Sequence, residues 1–391
     1  MPSPFRRVIV IVLDGVGIGA LPDAAAWGDA GADTLQHVAD RAGLRVPALR
    51  ALGLGRLVAL GGGAAEGAEG AVGRMAEVSA GKDSVTGHWE LAGIVLDRPF
   101  RVYPDGFPPA FIDRFAARAG RGVIGNCVAS GTAIIEQLGP EQARTGSLIV
   151  YTSADSVFQI AAHESIVPLD ELYRACEIAY ETAVPELRVA RVIARPFTGE
   201  PGAYRRTAAR RDFAVPPPAP TLLDRLTARG IPVTAIGKIE DLFAGRGITR
   251  AIHTRNDEHG MDEVDRAVAG GVEGLIFANL VDFDTVYGHR NDVAGFAANL
   301  ERFDGRLARL RPALRDDDLL VVTADHGNDP AFPGTDHTRE YVPILAAGVH
   351  VRAGADLGTR ATFADLGQTV AAIFGVEPLA HGTGFLELLT T

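Results

Sequence analysis

Cysteine is scarce in this sequence of 391 residues, which contains only Cys127 and Cys176. Two cysteines cannot build the disulfide framework that holds many small secreted proteins together. Such a low content fits a reducing compartment, and we therefore expect a cytoplasmic protein.

Long apolar runs are also missing. Near the start, the longest run extends from Val8 to Leu13 and stops at Asp14, which is far too short for a transmembrane helix or the core of a signal peptide. The 38 basic and 49 acidic residues give a net charge of −11, so the basic surface typical of nucleic-acid or anionic-membrane binding is not expected. We predict no nucleic-acid partner and no membrane segment. An anionic substrate must therefore be held by local groups.

Lysine is almost absent, because Lys82 and Lys238 are the only lysines among the 38 basic residues. A compact ammonium group fits at a crowded phosphate where a planar guanidinium does not. We therefore predict that both lysines bind substrate. The alternative is that the two were retained by chance at surface positions.

The remaining composition is that of a globular protein, and its length predicts two domains, with three also open. Short apolar, β-branched runs indicate buried strands of a largely parallel sheet: Val8–Leu13, Leu148–Thr152, Val189–Ala194, Pro232–Ile236, Leu275–Val281, Leu319–Thr323 and Val342–Ala347. Helical patterns lie between them: Pro109–Ala119, Leu169–Thr182, Thr221–Arg229 and Ala294–Leu310. This alternation predicts an α/β architecture.

Two proline-rich stretches divide the chain. The first is Arg98–Pro109, and the second is Val215–Pro220, with the sequence VPPPAP. Proline-rich segments are stiff and extended, which suits connections between domains. We predict a core domain formed by residues 1–98 and 217–391, with residues 99–216 inserted as a second domain.

Acidic residues follow three of the predicted strands. Asp14 comes directly after the first of them, in VIVIVLDGVGIG. The glycines there lack the spacing of a dinucleotide-binding loop, and an aspartate at a strand end is often only a turn former or a helix cap. In open parallel sheets, however, ligands bind at the carboxyl ends of the strands, which makes Asp14 a candidate metal ligand.

The other two strands run into carboxylates and histidines together. LIFANLVDFDTVYGH carries Asp282, Asp284 and His289, and LLVVTADHGNDPAFPGTDH carries three further candidates: Asp325, His326 and His337. Any one of these histidines could be an ordinary core or surface residue. Because parallel strands bring such ends to one edge of a sheet, we predict that the groups meet there and hold two metal ions about 4 Å apart.

The glycine-flanked segment GKDSVTGHWELAG, Gly81–Gly93, carries the hydroxyl groups of Ser84 and Thr86. Glycines allow backbone N–H groups to approach a phosphate closely, and a hydroxyl beside a metal centre can act as a nucleophile. The alternative is a turn in which these hydroxyls cap a helix.

Six ordered blocks together resemble the alkaline phosphatase superfamily of two-metal phosphoryl-transfer enzymes and, within it, the phosphopentomutase family. The blocks are LDGVGIGALPDA, GKDSVTGHWE, TSADSVFQIAAHE, GKIEDLF, NLVDFDTVYGHRND and TADHGNDP with GTDHTRE. The resemblance implies an alkaline-phosphatase-like α/β core, with a mostly parallel sheet flanked by helices and an inserted smaller α/β cap domain.

The resemblance also implies the roles of individual residues. Thr86 would be the residue that becomes phosphorylated. One metal would be held by Asp14, Asp325, His326 and the Thr86 oxygen, and the other by Asp284, His289 and His337. Manganese is the family's usual metal and is compatible with oxygen and imidazole ligands. Asp282 is the less favoured of the two adjacent carboxylates.

The implied reaction converts ribose 1-phosphate, or its 2-deoxy analogue, into the 5-phosphate through a phosphothreonine and a sugar 1,5-bisphosphate. A bisphosphate is also expected as the priming activator. The cap domain would exclude water and retain the bisphosphate while it turns. The expected substrate-binding residues are Asp155, Lys82, Lys238, Arg195 and Arg206, although Asp155 fits a helix cap equally well.

Three other functions stay open from the sequence. A phosphoglycerate mutase of the same superfamily uses a serine nucleophile and has a longer chain, whereas the expected nucleophile here is Thr86. A two-metal phosphatase or phosphodiesterase differs only in whether water or a sugar accepts the phosphoryl group. The third alternative is a protein that binds a phosphosugar without converting it. The sequence leaves the oligomeric state open, and a monomer is compatible with it.

Overall fold

The structure, a computed structural model, describes residues 3–60, 67–153 and 156–390. The expected substrate-binding residue Asp155 lies outside the described residues. The chain divides into two compact units, one comprising Met1–Pro99 with Pro217–Thr391 and the other comprising Phe100–Pro216.

The described strands are numbered in chain order: β1 (Arg7–Leu13), β2 (Ala71–Met75), β3 (Val123–Val128), β4 (Leu148–Thr152), β5 (Val157–His163), β6 (Arg191–Thr198), β7 (Arg205–Arg206), β8 (Arg211–Ala214), β9 (Val233–Ile236), β10 (Arg250–Ile252), β11 (Gly274–Leu280), β12 (Asp318–Thr323), β13 (Val342–Ala347) and β14 (Asp356–Arg360).

The described α-helices are α1 (Thr34–Ala42), α2 (Pro47–Leu52), α3 (Ser84–Leu91), α4 (Pro109–Ala119), α5 (Gly131–Thr145), α6 (Leu169–Leu187), α7 (Leu222–Ala228), α8 (Ile239–Leu242), α9 (Asp257–Ala269), α10 (Val293–Leu310), α11 (Ala364–Phe374) and α12 (Leu386–Leu389). Short 3₁₀ turns occur at Ala24–Trp27, Leu54–Arg56, Gly288–Arg290 and Arg311–Ala313, and a π-helical turn spans Phe283–Tyr287.

The core unit is built on an eight-stranded sheet with the order β10-β9-β11-β1-β12-β13-β2-β14. The five strands from β10 to β12 are parallel, whereas β13 runs antiparallel to both of its neighbours. Every residue of β1, β11, β12 and β13 is buried, which explains why these strands are almost continuously apolar in sequence. The prediction of a mostly parallel α/β core is confirmed.

The central strands are held together at the edge where β1 and β12 begin. The buried Arg7 side chain donates from Nε to Asp318 Oδ1 at 2.7 Å and reaches both oxygens of that carboxylate. This bidentate pair fixes the register of β1 against β12 at their amino ends. This ion pair lies at the amino ends of β1 and β12, so it does not occupy their carboxyl ends.

The inserted unit contains a second sheet with the order β3-β4-β5-β6-β7, and β8 pairs with β6. Successive residues of β4 point to opposite faces: Val150 belongs to the apolar cluster of α4 and α6, and Ile149 to the cluster of α5. Helices therefore cover both faces of this sheet. Phe158 is the centre of the first cluster, with its ring centroid 4.5 Å from that of Phe107.

The sequence patterns do not indicate several of these strands, including β2, β3, β5 and β14. The half-exposed β3 contains Gly125 at φ +90° and Asn126 at φ +56°, and its pairing with β4 is irregular there. Such a strand shows neither alternation nor a continuous apolar run. In the described part of the chain, no helix has the length and apolar character needed to cross a membrane.

Candidate active site

Three adjacent strands of the core sheet end at one edge. Strand β1 lies between β11 and β12, with Leu13 beside Leu280 and Val12 beside Thr323. The residues that follow these strands carry the candidate ligands, because parallel strands place their carboxyl ends together. The side chains collect into two groups: Asp14, Asp325 and His326 form the first, and Asp284, His289 and His337 form the second, with His326 also close to Asp284 and His337.

The first group is completely buried. His326 Nε2 lies 3.2 Å from Asp14 Oδ1 and 3.5 Å from Asp325 Oδ2, and all three side chains are 0% exposed. Asn279 Nδ2 donates to Asp14 Oδ2 at 2.9 Å, and the backbone N–H of Gly15 donates to Asp325 Oδ1 at 3.1 Å. These donors fix both carboxylates in place.

The orientation of His326 suits a metal ligand. Its Nδ1 lies 3.0 Å from the carbonyl oxygen of Gly327, which places a proton on Nδ1 and directs Nε2 toward the two carboxylates. Burial lowers the pKa of His326, but Asp325 and Asp14 outweigh it and hold that pKa well above its usual value. A metal ion binds only an imidazole nitrogen that carries no proton, so metal binding at His326 would depend on pH.

The second group surrounds Asp284 and is less deeply buried. His289 Nε2 lies 3.3 Å from Asp284 Oδ2, and His337 Nε2 lies 3.2 Å from Asp284 Oδ1. His289 Nδ1 is 2.6 Å from the carbonyl oxygen of Thr335, so its Nε2 also faces the carboxylate. Asn328 Nδ2 donates to Asp284 Oδ1 at 2.7 Å. The His289 and His337 rings are adjacent, with centroids 4.8 Å apart.

The two carboxylates that follow β11, those of Asp284 and Asp282, have different surroundings. Burial raises the pKa of Asp284, but His337 and His289 reverse the effect and hold that pKa well below its usual value. Asp282 faces elsewhere: it accepts from the backbone N–H of Asp257 at 3.0 Å, and its own N–H donates to Asp257 Oδ1 at 2.9 Å. Asp282 therefore ties the end of β11 to the start of α9.

The hydroxyl that contacts the first group belongs to Ser84, which begins α3. Ser84 Oγ donates to Asp14 Oδ1 at 3.1 Å and lies 3.2 Å from His326 Nε2. Thr86, which was expected to contribute its oxygen here, donates instead to Asp83 Oδ2 at 2.7 Å and is 0% exposed. Among the residues the structure describes, Thr86 makes no hydrogen bond to a proposed ligand. Asp83 caps α3, and this helix start sets which hydroxyl faces the carboxylates.

The segment before α3 is held from both sides by residues that sequence reasoning missed. Glu90 accepts from the N–H groups of Val78 and Ser79, and Arg339 donates to the carbonyl oxygens of residues 77, 79 and 81 at 2.6–2.9 Å. Arg339 is 3% exposed and follows His337 by two residues. One guanidinium thus links the second ligand group to the segment that leads to Ser84. The motif GTDHTRE contains this arginine, but its spacing gives no sign of its contacts.

The two lysines have different surroundings. Lys82 Nζ lies 3.0 Å from Asp29 Oδ2 and 3.3 Å from Asp336 Oδ2, so its charge is already balanced by carboxylates. Lys238 precedes α8, directly after Gly237 at φ +84°. Burial raises the pKa of Asp14, but the hydrogen bond to His326 reverses this effect, and the positive charge of Lys238 adds a smaller contribution that also lowers the pKa. Lys238 therefore belongs to the electrostatic surroundings of the first group.

In the inserted unit, Arg195 and Arg206 lie near Tyr151. Arg195 Nε donates to Gln159 Oε1 at 3.1 Å, and a Cβ added at Gly131 would meet both Arg206 Nη2 and the Tyr151 hydroxyl. Burial and the neighbouring guanidinium groups of Arg210 and Arg206 lower the pKa of Arg195. Arg195, Arg206 and Arg210 therefore form a cluster of guanidinium groups, in which Arg210 is paired with Asp212.

The described arrangement can be compared with known proteins. The family model of the Metalloenzyme superfamily matches residues 6–378. A phosphopentomutase of Caldanaerobacter subterraneus subsp. tengcongensis is 54% identical over 385 residues, and one of Clostridium novyi is 52% identical over 384; each alignment covers 98% of both chains. The solved structure of Leishmania mexicana phosphoglycerate mutase aligns with a TM-score of 0.50 at 15% identity, covering 98% of each chain.

The structural similarity at 15% identity establishes a shared α/β fold of the alkaline-phosphatase type. The identities above 50% over nearly the whole length are far more specific. Together with the two Asp/His groups, the family match supports binding of divalent metal. On this evidence the chain is a member of the phosphopentomutase family within the metalloenzyme superfamily.

Proposed function

We propose that this chain interconverts ribose 1-phosphate, or 2-deoxyribose 1-phosphate, and the corresponding 5-phosphate. The observation that carries the proposal is the position of the Ser84 hydroxyl, within 3.2 Å of Asp14 and His326 at the shared strand edge of a phosphopentomutase-family chain. The substrate is a small phosphosugar. A cytoplasmic location and a monomeric state remain predictions.

Two manganese ions would complete the site. The first would be held by Asp14, Asp325 and His326, and the second by Asp284, His289 and His337. The carboxylate and imidazole donor set fits Mn²⁺, and the Nδ1 contacts of His326 and His289 leave Nε2 for the metal. When bound, the two cations supply positive charge that stabilises the attacking and leaving oxygens of an in-line phosphoryl transfer.

We assign the role of phosphoryl acceptor to Ser84 rather than to Thr86. Ser84 is partly exposed and contacts the ligand groups, whereas Thr86 is 0% exposed and donates to the helix cap Asp83. The start of a helix also favours the negative charge of a phosphate. Phosphorylation of Thr86 is the alternative, and it requires that α3 unwind or shift.

The reaction then has two balanced halves. The phosphoryl group on Ser84 passes to the free hydroxyl of the sugar monophosphate, so that the bond to Ser84 Oγ breaks, the bond to the sugar forms and the hydroxyl proton is released. The resulting 1,5-bisphosphate turns, and its other phosphoryl group returns to Ser84 while the freed sugar oxygen takes up a proton. No water is consumed, and a trace of bisphosphate primes an unphosphorylated chain.

The inserted unit is proposed to act as the cap. Its Arg195 and Arg206 would hold the distal phosphate, and Asp155 would accept hydrogen bonds from sugar hydroxyls. Lys238, whose ammonium has no hydrogen-bond or ion-pair partner among the described residues, would contact the transferred phosphate. Lys82 is a weaker candidate for this role, because Asp29 and Asp336 already occupy its donors.

The test compares Ser84→Ala, Ser84→Thr and Thr86→Ala in a coupled assay of ribose 1-phosphate conversion with Mn²⁺ and a trace of bisphosphate. We expect Ser84→Ala to lose roughly 1,000-fold or more in kcat, because it lacks the acceptor oxygen. Ser84→Thr keeps a hydroxyl and should keep measurable turnover, and Thr86→Ala should stay within about tenfold of the parent. Mass spectrometry of the protein incubated with bisphosphate should locate the phosphate on Ser84.

Other outcomes identify the competing functions. Phosphate on Thr86, with an inactive Thr86→Ala variant, would show that the acceptor assignment is wrong. Release of inorganic phosphate without sugar-phosphate conversion would indicate a two-metal phosphatase. Conversion of a phosphoglycerate but not of a pentose phosphate would indicate the other mutase activity. Binding of a phosphosugar without phosphoryl uptake or turnover would indicate a binding protein.

A further inference from the structure

Lys82 lies two residues before Ser84, and its contacts indicate a role other than substrate binding. Its Nζ donates to Asp29 Oδ1 at 3.1 Å and to Asp29 Oδ2 at 3.0 Å, and it forms an ion pair with Asp336 Oδ2 at 3.3 Å. The side chains of Lys82 and Asp29 are only 15% and 7% exposed. An ammonium group has three N–H donors, and Asp29 alone accepts two of them. The charge of Lys82 is therefore balanced before any phosphate arrives.

Both carboxylates also hold the main chain at and just after His337. Asp336 Oδ1 accepts from the backbone N–H of His337 at 2.9 Å, and Asp29 Oδ2 accepts from the backbone N–H of Arg339 at 2.9 Å. Lys82 thus pairs with the two side chains that accept from the main chain at positions 337 and 339. Because His337 belongs to the second ligand group, the ammonium of Lys82 is connected to that group through hydrogen bonds.

Another contact anchors this stretch without Lys82. Gly327 and Thr338 exchange both of their backbone hydrogen bonds, at 3.1 and 2.7 Å. This pair fixes the general path of the chain, but the N–H groups of residues 337 and 339 depend on the two carboxylates. We therefore expect Lys82 to affect the exact position of His337 more than the fold of the segment.

The effect of removing the ammonium follows from electrostatics. Without it, Asp29 and Asp336 would repel each other, because no positive charge would lie between the two carboxylates. Asp336 is 60% exposed and can turn into solvent, which would release the N–H of His337. Asp29 is almost buried and would keep a charge without its partner.

We propose that Lys82 is a positioning residue for the second metal group, because its ammonium holds the two carboxylates that bind the main chain around His337. The inference rests on the proposed role of His337 as a metal ligand. It predicts that loss of the charge at position 82 weakens metal binding at the second group. Substrate binding by Lys82 predicts instead a higher KM with unchanged metal affinity.

The test uses Lys82→Met, Lys82→Arg and a double variant that combines Lys82→Met with Asp29→Asn. Methionine keeps the length of the side chain without its charge, whereas the guanidinium of arginine can still donate two N–H groups to Asp29. Mn²⁺ alone is titrated into chelator-treated protein, and free Mn²⁺ is measured by electron paramagnetic resonance. The binding step that is lost in Asp284→Asn is assigned to the second group.

Arg121→Met in the inserted unit is the matched control. Arg121 also donates to both oxygens of one carboxylate, that of Glu171, at 2.6 and 2.8 Å. The control therefore removes a bidentate ion pair that does not involve the ligand groups. Thermal unfolding without metal reports the fold of every variant. If Lys82→Met does not fold, the double variant gives the same comparison, because it leaves no unbalanced charge on Asp29.

We expect Lys82→Met to weaken the second Mn²⁺ step about 10–100-fold, and Lys82→Arg to remain within roughly threefold of the parent. Adding Asp29→Asn to Lys82→Met should cost less than about threefold more, because both changes remove the same contact. Arg121→Met should leave both binding steps unchanged. With saturating Mn²⁺, the KM of Lys82→Met for ribose 1-phosphate should stay within about threefold of the parent value.

Unchanged Mn²⁺ affinity in Lys82→Met would overturn the inference, and a raised KM in the same variant would make Lys82 a substrate-binding residue. Equal weakening of both Mn²⁺ steps would also overturn it, because the effect would not be specific to the second group. If the parent chain binds no Mn²⁺ that Asp284→Asn removes, the metal assignment of the second group fails, and the inference fails with it.

Discussion

The two ligand groups differ in how the fold supports them. Asp14, Asp325 and His326 are all 0% exposed, whereas the side chains around the second centre range from 4% for Asp284 to 26% for His289. The first group follows β1 and β12 directly, and buried donors hold its carboxylates. The second is assembled from a π-helical turn, a 3₁₀ turn and the segment that carries His337.

This difference indicates that the two groups have different roles at the same end of the sheet. Side chains on strand ends are positioned more accurately than side chains on turns, and they change less when the surroundings move. We therefore expect the first group to bind metal tightly and to define the position of Ser84. The second group should bind more weakly and exchange its ion more readily.

The largest expected difference in activity is between the Asp325→Asn and His289→Ala variants. Asp325→Asn removes an anionic ligand from the rigid group, and we expect a loss of roughly 1,000-fold in kcat that excess Mn²⁺ does not restore. His289→Ala should cost about 10–100-fold, and millimolar Mn²⁺ should recover most of it. Steady-state kinetics across a Mn²⁺ series checks both. Equal recovery of the two variants would remove the distinction between the groups.

Stepwise removal of metal should show the same order with a smaller effect. We expect a chelator titration, followed by elemental analysis, to remove one Mn²⁺ per chain at least about tenfold more easily than the other. Asp284→Asn should abolish the easily removed ion only. Loss of both ions together in the parent protein would mean that the two groups act as one unit.

Arg339 tests how the second group is connected to Ser84. Lysine keeps the positive charge near Glu77, but its single nitrogen cannot replace both Nη1 and Nη2 of the guanidinium, so Arg339→Lys leaves buried carbonyl oxygens without partners. We expect a loss of roughly 3 kcal/mol in the free energy of unfolding, measured in urea. The matched exposed substitution Arg352→Lys should change it by less than about 0.5 kcal/mol. A similar small change at both positions would contradict the role given to Arg339.

The smallest expected effect concerns pH at the end of β11. Burial and Asp282 raise the pKa of Asp257 from 3.8 to about 7. The folded chain therefore keeps this proton to higher pH than the unfolded chain does, and the free energy of unfolding falls as the pH rises from about 4 to 7. Between pH 5 and 7, Asp257→Asn should remove up to roughly 2.5 kcal/mol of this fall.

Urea unfolding at several pH values between 5 and 8 measures this contribution, with the exposed Asp316→Asn as the matched control. If the parent and the Asp257→Asn variant lose stability in parallel, the raised pKa of Asp257 does not contribute. It would also mean that the contact between Asp257 and Asp282, just before the turn that carries Asp284, does not make stability depend on pH.

Much of the fold and of the ligand set could be predicted from the sequence. The strands before Asp14, Asp284 and Asp325 are buried on both faces and are therefore apolar throughout, which makes them visible as runs. Parallel strands then bring the following residues together. The family relation rests on a pattern spread over nearly the whole chain, and the identities above 50% support it.

The choice between Ser84 and Thr86 could not be made in this way. The two hydroxyls are two residues apart on α3, so they face different directions, and the side that contacts Asp14 depends on where the helix begins. Asp83 fixes that beginning through hydrogen bonds to Val85 and Thr86. If Ser84 is the acceptor, a threonine nucleophile no longer distinguishes this chain from a phosphoglycerate mutase. The distinction then rests on the family relation alone.

The surroundings of the lysines were equally invisible. Lys82 and Lys238 are the only two lysines, so composition does not distinguish them. In the structure, Asp29 and Asp336 neutralise only Lys82. Asp29 is 53 residues away along the chain and Asp336 is more than 250, so no local pattern reports their proximity. For the same reason, neither Asn279 nor Arg339 could be recognised before the fold was known.

The division of the core sheet between two chain segments also determines the order of events during synthesis. Strand β1 leaves the ribosome first, but its neighbours β11 and β12 begin at Gly274 and Asp318. The inserted unit, Phe100–Pro216, is continuous and is completed long before them. At 5–20 residues per second, β1 must wait more than about 10 seconds for both partners. An apolar strand is therefore exposed in every nascent chain, and the inserted unit can fold while β1 is still unpaired.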